Sequence, residues 1–336
     1  MSIKIKKKPL DYTFANGFIG AQHKNLMSKQ DLIRAYSSKE LSGVESVLQE
    51  FGYGNKIFED RIEFFIRREQ NKLFDLVFHT LSDTTELGMF LFPFDYHNIK
   101  VFLKAEFLGI TPDDNYLLST SFIEAKKMEV MVRERNYILM TKNMREAIIE
   151  TVDLFNRSHD PQVIDLVLDK YCYKDMIKGA VRTEDEFLIE YMKLDIDLLN
   201  LNSFVRLRNI NKSWAFFQKI FLEGGHIDEN FFVSNYEEPY QSLGDKVAPY
   251  GFRDLIVEGA GFVDTNNDFS IFEKIKSNLK MDFIKKAKYE TFGIAPIAAF
   301  WLAKEAEIDN VRIVLAGRLA GLPVEAISER LRDTYV

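Results

Sequence analysis

The spacing of apolar residues predicts helices along most of the chain. In residues 29–49, apolar side chains recur three and four positions apart, which is the period of an amphipathic helix, and the pattern breaks at Ser37 and Ser38. We therefore expect two short helices, with Ser28 as the N-cap of the first. No stretch alternates apolar and polar residues as a half-buried strand does, so the pattern predicts an all-α fold.

Other segments have the same helical period. Asp160 followed by Pro161 is the preferred order for an N-cap and a first helical residue. Glycine and proline interrupt the chain from residue 224 to residue 261, where we expect loops and short helices, and we expect helix again from about Ser270. The remaining predicted helices cover residues 122–137, 160–173, 184–199 and 204–222.

Two distant stretches of the chain match each other. Residues 95–110 read DYHNIKVFLKAEFLGI, and residues 307–322 read EIDNVRIVLAGRLAGL. Asn98 aligns with Asn310, and an acidic residue, Asp95 or Glu307, lies three positions before each asparagine. Gly109 and Gly321 follow eleven positions after the asparagines, and a proline comes soon afterwards in both stretches.

A third copy lies midway between these two. Asp197 and Asn200 have the same acid-x-x-Asn spacing, and Asn211 takes the place of the glycine. The three asparagines lie 102 and 110 residues apart, which favours genuine internal repetition over chance. The sequence therefore predicts three similar helical units, with approximate boundaries at residues 1–120, 121–225 and 226–336.

The repeated positions have a physical interpretation. The asparagine and the residues three, four and seven positions later lie on one helix face, and the small residue at the seventh position, such as Gly317, would let a neighbouring helix approach closely. Glycine, and after it asparagine, is preferred where a helix ends in the left-handed conformation, as we expect at the eleventh position. The acid and the asparagine are expected to form a capping arrangement at the helix start.

Composition and charge argue against some classes of protein and some cellular settings. The net charge is −7 and the pI is about 5.5, which argues against a dedicated nucleic-acid-binding protein. The lysine-rich residues 3–8 are expected to be a solvated arm. Cys172 is the single cysteine, so an internal disulfide is impossible and a reducing cytoplasmic setting fits.

A membrane-spanning helix is not expected. The longest apolar run, residues 293–303, has 11 residues and contains Pro296, whereas a spanning helix needs about 20 apolar residues. Gly317 and Gly321 have the small-xxx-small spacing of a membrane helix pair, but Arg312 and Arg318 in the same stretch would be costly in lipid.

Nothing in the sequence indicates catalysis. The five histidines have no metal-binding spacing, and no phosphate-binding loop or nucleophile motif is present. The acids of the repeat are single carboxylates, whereas acid–base catalysis needs groups that converge on one substrate. We expect Cys172 to lie on a helix face, and we expect no catalytic residue, cofactor or metal; a scaffold or coupling protein is the better interpretation.

Several segments resemble a known family. They are FANGFIGAQHKNLMSKQDLIRAY near the start, FPFDYHNIKVFLKAEFLG, FVRLRNINKSWAFFQKIFLEGGHID, and the closing LAKEAEIDNVRIVLAGRLAGLPVEAISERLRDTYV. Together these segments span nearly the whole chain, and they resemble the C subunits of the V/A-type rotary ATPases, which are the counterparts of the d subunit of eukaryotic V-ATPases.

This resemblance implies a funnel of three similar helical domains around a pseudo-threefold axis. Such a protein would lie on the cytoplasmic end of the membrane rotor ring of proteolipid subunits and would receive the central shaft, subunits D and F. It would transmit torque without binding nucleotide, and the transported ion could be a proton or sodium. A helical-repeat adaptor unrelated to rotary motors is the alternative; an enzyme comes third.

Overall fold

The structure is a computed structural model, and it describes residues 9–38, 40–54, 62–81 and 86–336. The lysine-rich residues 3–8 lie outside the described residues. Within the described ranges every regular element is a helix and none is a strand. The predicted all-α class is therefore confirmed.

The α-helices of the described ranges are numbered along the chain, and a π-helical turn at Leu255–Ala260 precedes α13. They are α1 Thr13–Gln22, α2 Lys29–Ser37, α3 Leu41–Glu50, α4 Ile62–Phe78, α5 Phe92–Leu108, α6 Ala125–Glu134, α7 Lys142–Ser158, α8 Gln162–Thr183, α9 Glu186–Asn209, α10 Trp214–Ile220, α11 Glu229–Ser234, α12 Tyr240–Val247, α13 Gly261–Asn266, α14 Ser270–Ile284, α15 Ala295–Leu319 and α16 Val324–Arg330.

The chain divides into two compact units. One combines Met1–Asp83 with Pro239–Val336, and the other is Thr84–Glu238. We call them the outer and the inner unit, after their positions in the sequence. The division into three units at residues 1–120, 121–225 and 226–336 stays a prediction.

The core of the inner unit is built on α8, which packs against α5, α7 and α9. Aromatic side chains fill the space near the end of α9. Phe204 and Phe217 are fully buried, and their ring centroids lie 5.7 Å apart at right angles. Phe232 joins them at 5.1 Å from the Phe217 ring. Such edge-to-face and tilted pairs add to the free energy gained by burying the rings.

The core of the outer unit is built on α15, which packs against α1, α2, α4 and α14. Residues 295–303 of the apolar run form the first part of this helix, and Trp301 is only 2% exposed. A helix that is apolar all round must be covered on every side. The run is therefore covered by the helices of its own unit. Among the described residues, no helix has both the length and the apolar character needed to cross a bilayer.

Several predicted elements are confirmed. Residues 29–49 form α2 and α3, and Ser28 caps α2 in a reciprocal capping box with Asp31. Residues 224–261 hold short helices and loops, and α14 begins at Ser270. These elements were predictable because their start and stop signals are local.

Other predicted helix bounds were wrong. The helix expected over residues 122–137 is only α6, because Arg135 takes the left-handed conformation and ends it. The helix expected over residues 204–222 does not exist as one element. The preceding helix, α9, continues to Asn209, and the chain turns at Asn211 before α10.

The helices predicted over residues 160–173 and 184–199 begin later than expected. The α8 helix starts at Gln162 with Pro161 as its N-cap residue, and it runs to Thr183, ten residues past the predicted end. Asp160 still accepts a hydrogen bond from the Gln162 N–H at 2.9 Å. The start of α9 is set by Asp185, whose side chain accepts from the Leu188 N–H.

Three helices end in the same way. Gly109, Asn211 and Gly321 have φ angles of +65°, +54° and +66°, the left-handed conformation expected from their residue types. In each case the N–H of the next residue donates to a carbonyl five positions back, at 2.9 or 3.0 Å. This is the Schellman arrangement, and it ends α5, α9 and α15 at matching positions of the repeat.

Gly317 lies where α16 crosses α15. A Cβ atom at Gly317 would lie 2.7 Å from Ile327 Cγ1, and Ile327 is fully buried. We expect Gly317→Leu to lower the free energy of unfolding by about 1–3 kcal/mol through overpacking. Thermal unfolding measures this effect. Gly20→Leu is the control, because a Cβ at Gly20 has no heavy atom within 4 Å; equal losses for the two variants would contradict the packing role of Gly317.

Candidate functional site

The three acid–asparagine pairs are Asp95 with Asn98, Asp197 with Asn200, and Glu307 with Asn310. All six side chains are at most 5% exposed. The predicted capping arrangement at a helix start is wrong. The second and third pairs lie deep inside α9 and α15, and every pair bonds segments outside its own helix. A residue in a helix interior finds its own backbone already paired, so its polar atoms must find partners elsewhere.

The asparagine of each pair holds one residue of an irregular segment by two hydrogen bonds. Its amide nitrogen donates to that residue's carbonyl, and its amide oxygen accepts from the same residue's N–H. For Asn98 and Leu118 both distances are 2.9 Å, and for Asn200 and Leu222 they are 2.8 and 2.9 Å. Asn310 bonds Arg332 in the same way, at 3.2 and 2.9 Å.

The acid of each pair accepts the N–H of the residue just before a helix N-cap. Asp95 accepts from Ile123 at 3.0 Å, before α6, and Asp197 accepts from Ile227 at 3.0 Å, before α11. Glu307 accepts from Met27 at 2.6 Å, before α2. The third copy is thus completed by a helix from the N-terminal part of the chain.

Glu307 contacts three different residues. Its carboxylate also accepts from the Tyr53 hydroxyl at 2.7 Å and pairs with Lys304 at 2.5 Å. The Lys304 ammonium lies 4.5 Å from the centre of the Tyr53 ring. Burial, together with the charge of Glu307, raises the pKa of the Tyr53 hydroxyl well above its usual value, so it remains a donor. These contacts tie α15 to α2 and to the segment after α3.

Asp197 lies beside a histidine. It accepts from the His226 backbone N–H at 3.0 Å, and His226 Nδ1 lies 2.9 Å from the same carboxylate. His226 Nε2 lies 2.9 Å from Glu190, whose pKa is lowered first by its bond to Lys193. A Cβ at Gly225 would lie 2.2 Å from Asp197 Oδ1, so glycine is needed for this close approach.

The burial of Asp95 has an electrostatic consequence. Burial raises the pKa of its carboxyl from 3.8 to about 7; the charge of Asp175 adds to the rise, and the N–H groups of Ile123 and Phe122 oppose it. Because the folded-state pKa lies above the unfolded one, folding favours the protonated form. The stabilisation from this proton is complete below about pH 4 and is lost as the pH rises through about 7.

The raised pKa of Asp95 predicts how the stability of the chain depends on pH. We expect the wild-type chain to lose a few kcal/mol of unfolding free energy, relative to Asp95→Asn, as the pH rises from about 4 to about 7. Urea unfolding at several pH values, with both proteins in each buffer, measures this difference. Asp95→Asn is the control for the wild type, because it has no titrating group at this position. A difference that does not change with pH would contradict the raised pKa.

The three acid–asparagine pairs hold segments of the backbone. Each carboxylate of the three pairs is engaged by donors of the protein itself. Cys172 is buried on α8, its Sγ lies 3.9 Å from the Met176 sulfur, and burial raises the pKa of its thiol well above the usual range, which makes it a poor nucleophile. Within the described part of the chain, no group of three His, Cys, Asp or Glu residues is placed to hold a metal ion.

Sequence reasoning identified the pairs but missed their partners. A usable signal was present for the first two copies, because Ile123-Glu124 and Ile227-Asp228 follow their acids at nearly the same distance. The third copy offers no such signal, because Met27 and Tyr53 lie 280 and 254 residues from Glu307 in the sequence.

Comparison with known proteins identifies the family. The family model described as ATP synthase (C/AC39) subunit matches residues 15–330, which is nearly the whole chain and includes all three acid–asparagine pairs. The chain belongs to this family. Its members are subunits of rotary ATPase complexes, and the interpretation of the sequence as a member of this group is confirmed.

Individual C/AC39 relatives are distant but match over most of their length. The chain is 21% identical to the C subunit of the V-type sodium ATPase of Enterococcus hirae, over 97% of this chain and 99% of that protein. It is also 21% identical to the C subunit of the A-type ATP synthase of Methanocaldococcus jannaschii, over 95% and 86%. The corresponding A-type ATP synthase protein of Methanococcoides burtonii gives 21% over 98% and 96%.

Proposed function

We propose that this C/AC39 protein is the non-catalytic socket of a rotary V/A-type ATPase. In this role it joins the central shaft, subunits D and F, to the membrane rotor ring of proteolipid subunits. It couples ATP turnover in the head of the complex to the transport of protons or sodium ions. The chain lies at the cytoplasmic face of the membrane as a peripheral component.

The observation that carries this proposal is the threefold use of one contact. In each copy an acid and an asparagine lie three positions apart on one helix, and they bind the backbone of an irregular segment and the residue just before the N-cap of another helix. Three equivalent units are what a protein needs if it is to surround a shaft.

A torque-bearing protein must also resist deformation. Buried polar groups with all their partners fix one arrangement of the backbone, because a shifted backbone would leave them unsatisfied. Each asparagine amide allows no sliding of its partner segment, since its donor and its acceptor are both used on one residue. We therefore assign stiffness to the three pairs, and we assign the grip on shaft and ring to exposed side chains.

Affinity capture from native membranes tests the proposal. The tagged full chain is expected to capture subunits D and F together with the ring proteolipid, and capture is expected to weaken at high salt because polar contacts between exposed charges are screened. A matched control is an untagged membrane preparation treated in the same way. Capture of other proteins, without shaft or ring subunits, would favour the helical-repeat adaptor and refute the socket.

A further inference from the structure

We infer that His23 is a pH-sensitive latch in the outer unit: its neutral ring holds residues 331–336 against the unit, and its protonated ring releases them. We call residues 331–336, which follow α16, the tail. His23 begins the 3₁₀ turn after α1, so the latch joins two segments that are far apart in the sequence. The inference goes beyond the proposed function and does not rest on it.

Side chains of α14 and α15 hold the backbone of the tail. Asn310 bonds Arg332 reciprocally, as the asparagine of the third pair. Asn278 accepts the Asp333 N–H at 2.9 Å, and the Arg332 Nε–H donates to the Ser277 hydroxyl at 2.9 Å. The tail forms no helix or strand. Its attachment therefore depends on a small number of side-chain contacts.

Tyr335 packs the end of the tail into the core. It is 4% exposed, whereas Val336 after it is 47% exposed. The His23 ring meets the Tyr335 ring edge-on, with centroids 5.7 Å apart and planes at 63°. The same His23 ring stacks on Phe300 of α15, at 5.7 Å and 22°. His23 therefore links the tail to the central helix of the outer unit.

The His23 ring has no acceptor for a second proton. Its Nε2 atom is buried and has no hydrogen-bond partner in the described part of the chain. A neutral imidazole carries a proton on one nitrogen only, so Nε2 can remain without one while Nδ1 is protonated. Protonation of Nε2 would bury an N–H donor and a positive charge without an acceptor, and such a burial costs more for a charged group than for a neutral one.

The charge around the His23 ring also opposes protonation. Lys288, in the 3₁₀ turn after α14, holds its ammonium 4.6 Å from the centre of the Tyr335 ring, and its charge acts on His23. Burial raises the pKa of the Tyr335 hydroxyl, so this side chain stays neutral. On α15, Lys304 lies one turn after Phe300, and its ammonium pairs with a carboxylate, that of Glu307. The ring is therefore surrounded by neutral groups and by the positive charge of Lys288.

These surroundings set the direction of the pH effect. Burial, and after it the charge of Lys288, lowers the pKa of His23 below its usual 6.5. Because the released ring titrates near 6.5 and the docked ring titrates lower, docking favours the neutral form. The attachment is complete above about pH 7.5 and weakens as the pH falls below about 6.5. The raised pKa of Asp95 in the inner unit acts with the opposite sign, since its proton stabilises the fold.

Hydrogen–deuterium exchange of the purified full chain, followed by mass spectrometry, tests the latch. The N–H groups of Arg332 and Asp333 report on attachment, because both are bonded to side chains of the outer unit. After correction for intrinsic exchange rates, we expect their protection to fall by up to about tenfold between about pH 7.5 and about pH 5.5. The ordinary histidine pKa of 6.5 sets this limit. Protection of α8 in the inner unit is expected not to fall.

Variants of His23 separate protonation from packing. His23→Phe keeps an aromatic ring but cannot be protonated, so we expect its tail to be protected at about pH 7.5 and to lose no protection on acidification. His23→Gln is a second neutral variant, in case the phenylalanine ring does not fit. The control is His79→Gln, which removes an exposed histidine just after α4 in the same unit and is expected to keep the pH dependence of the wild type.

Two results would refute the latch. One is a wild-type tail whose protection does not change with pH. The other is an equal fall in His23→Phe and His23→Gln, because another group would then release the tail. Capture of the shaft and ring subunits at neutral pH is measured separately. Failed capture would refute the socket and leave the latch, whereas a failed exchange test would refute the latch and leave the socket.

Discussion

Glu307→Ala is expected to lower the free energy of unfolding by about 3–5 kcal/mol, the cost of removing one partner from a buried ion pair. The substitution leaves the Met27 N–H and the Tyr53 hydroxyl without an acceptor, and it leaves the Lys304 ammonium, only 15% exposed, without its carboxylate. Glu307→Gln should cost less, because an amide oxygen still accepts one of these hydrogen bonds. Urea unfolding, followed by circular dichroism, gives both values.

The control for this prediction is Glu325→Ala. Glu325 is exposed in the first turn of α16, so its removal is expected to change the unfolding free energy by no more than about 0.5 kcal/mol. A loss at Glu307 no larger than the loss at Glu325 would show that the third acid–asparagine pair does not hold α2 and α15 together.

Asn200→Asp is expected to have the next largest effect, a loss of about 2–4 kcal/mol. The side chain keeps its shape but loses its donor, and a carboxylate oxygen then faces the Leu222 carbonyl where the amide nitrogen lay at 2.8 Å. At acid pH the protonated carboxyl regains a donor, so the loss should shrink. Unfolding measured at neutral and at acid pH tests both parts of the prediction.

A neighbouring asparagine provides the matched control. Asn202 lies one residue beyond Leu201 on the same helix, and its side-chain oxygen accepts from Arg206 at 2.9 Å, a bond that aspartate would keep. Asn202→Asp should therefore be close to neutral. Asn98→Asp and Asn310→Asp are expected to behave like Asn200→Asp, since the same two bonds are present. If one of the three variants did not lose unfolding free energy, the equivalence of the copies would be contradicted.

The sequence predicted most where the signal was local. Ser28 with Asp31 has the capping-box pattern, and the left-handed helix ends at Gly109, Asn211 and Gly321 follow from the residue types that tolerate positive φ. The repeat itself was visible because its acid, asparagine and helix end keep a fixed spacing within one helix.

The hydrogen-bond partners of the acid–asparagine pairs could not be predicted from the local sequence. Helix caps and acid–asparagine pairs use the same residue types, so spacing alone could not show that Asp197 and Glu307 lie in helix interiors. Their N–H donors come from other segments, and for Glu307 the donor Met27 comes from the opposite end of the sequence. Such contacts depend on tertiary packing, which the periodicity of one helix does not encode.

The central claim, a non-catalytic socket between shaft and ring, is tested most directly by measuring ATP hydrolysis and ion transport together. The complex is reconstituted into vesicles with and without this chain. We predict that the ATP-hydrolysing head remains active without the chain, that ATP-driven ion transport is lost, and that adding the purified chain restores transport. Transport that continues in its absence, or ATP hydrolysis by the head that disappears with it, would contradict the account.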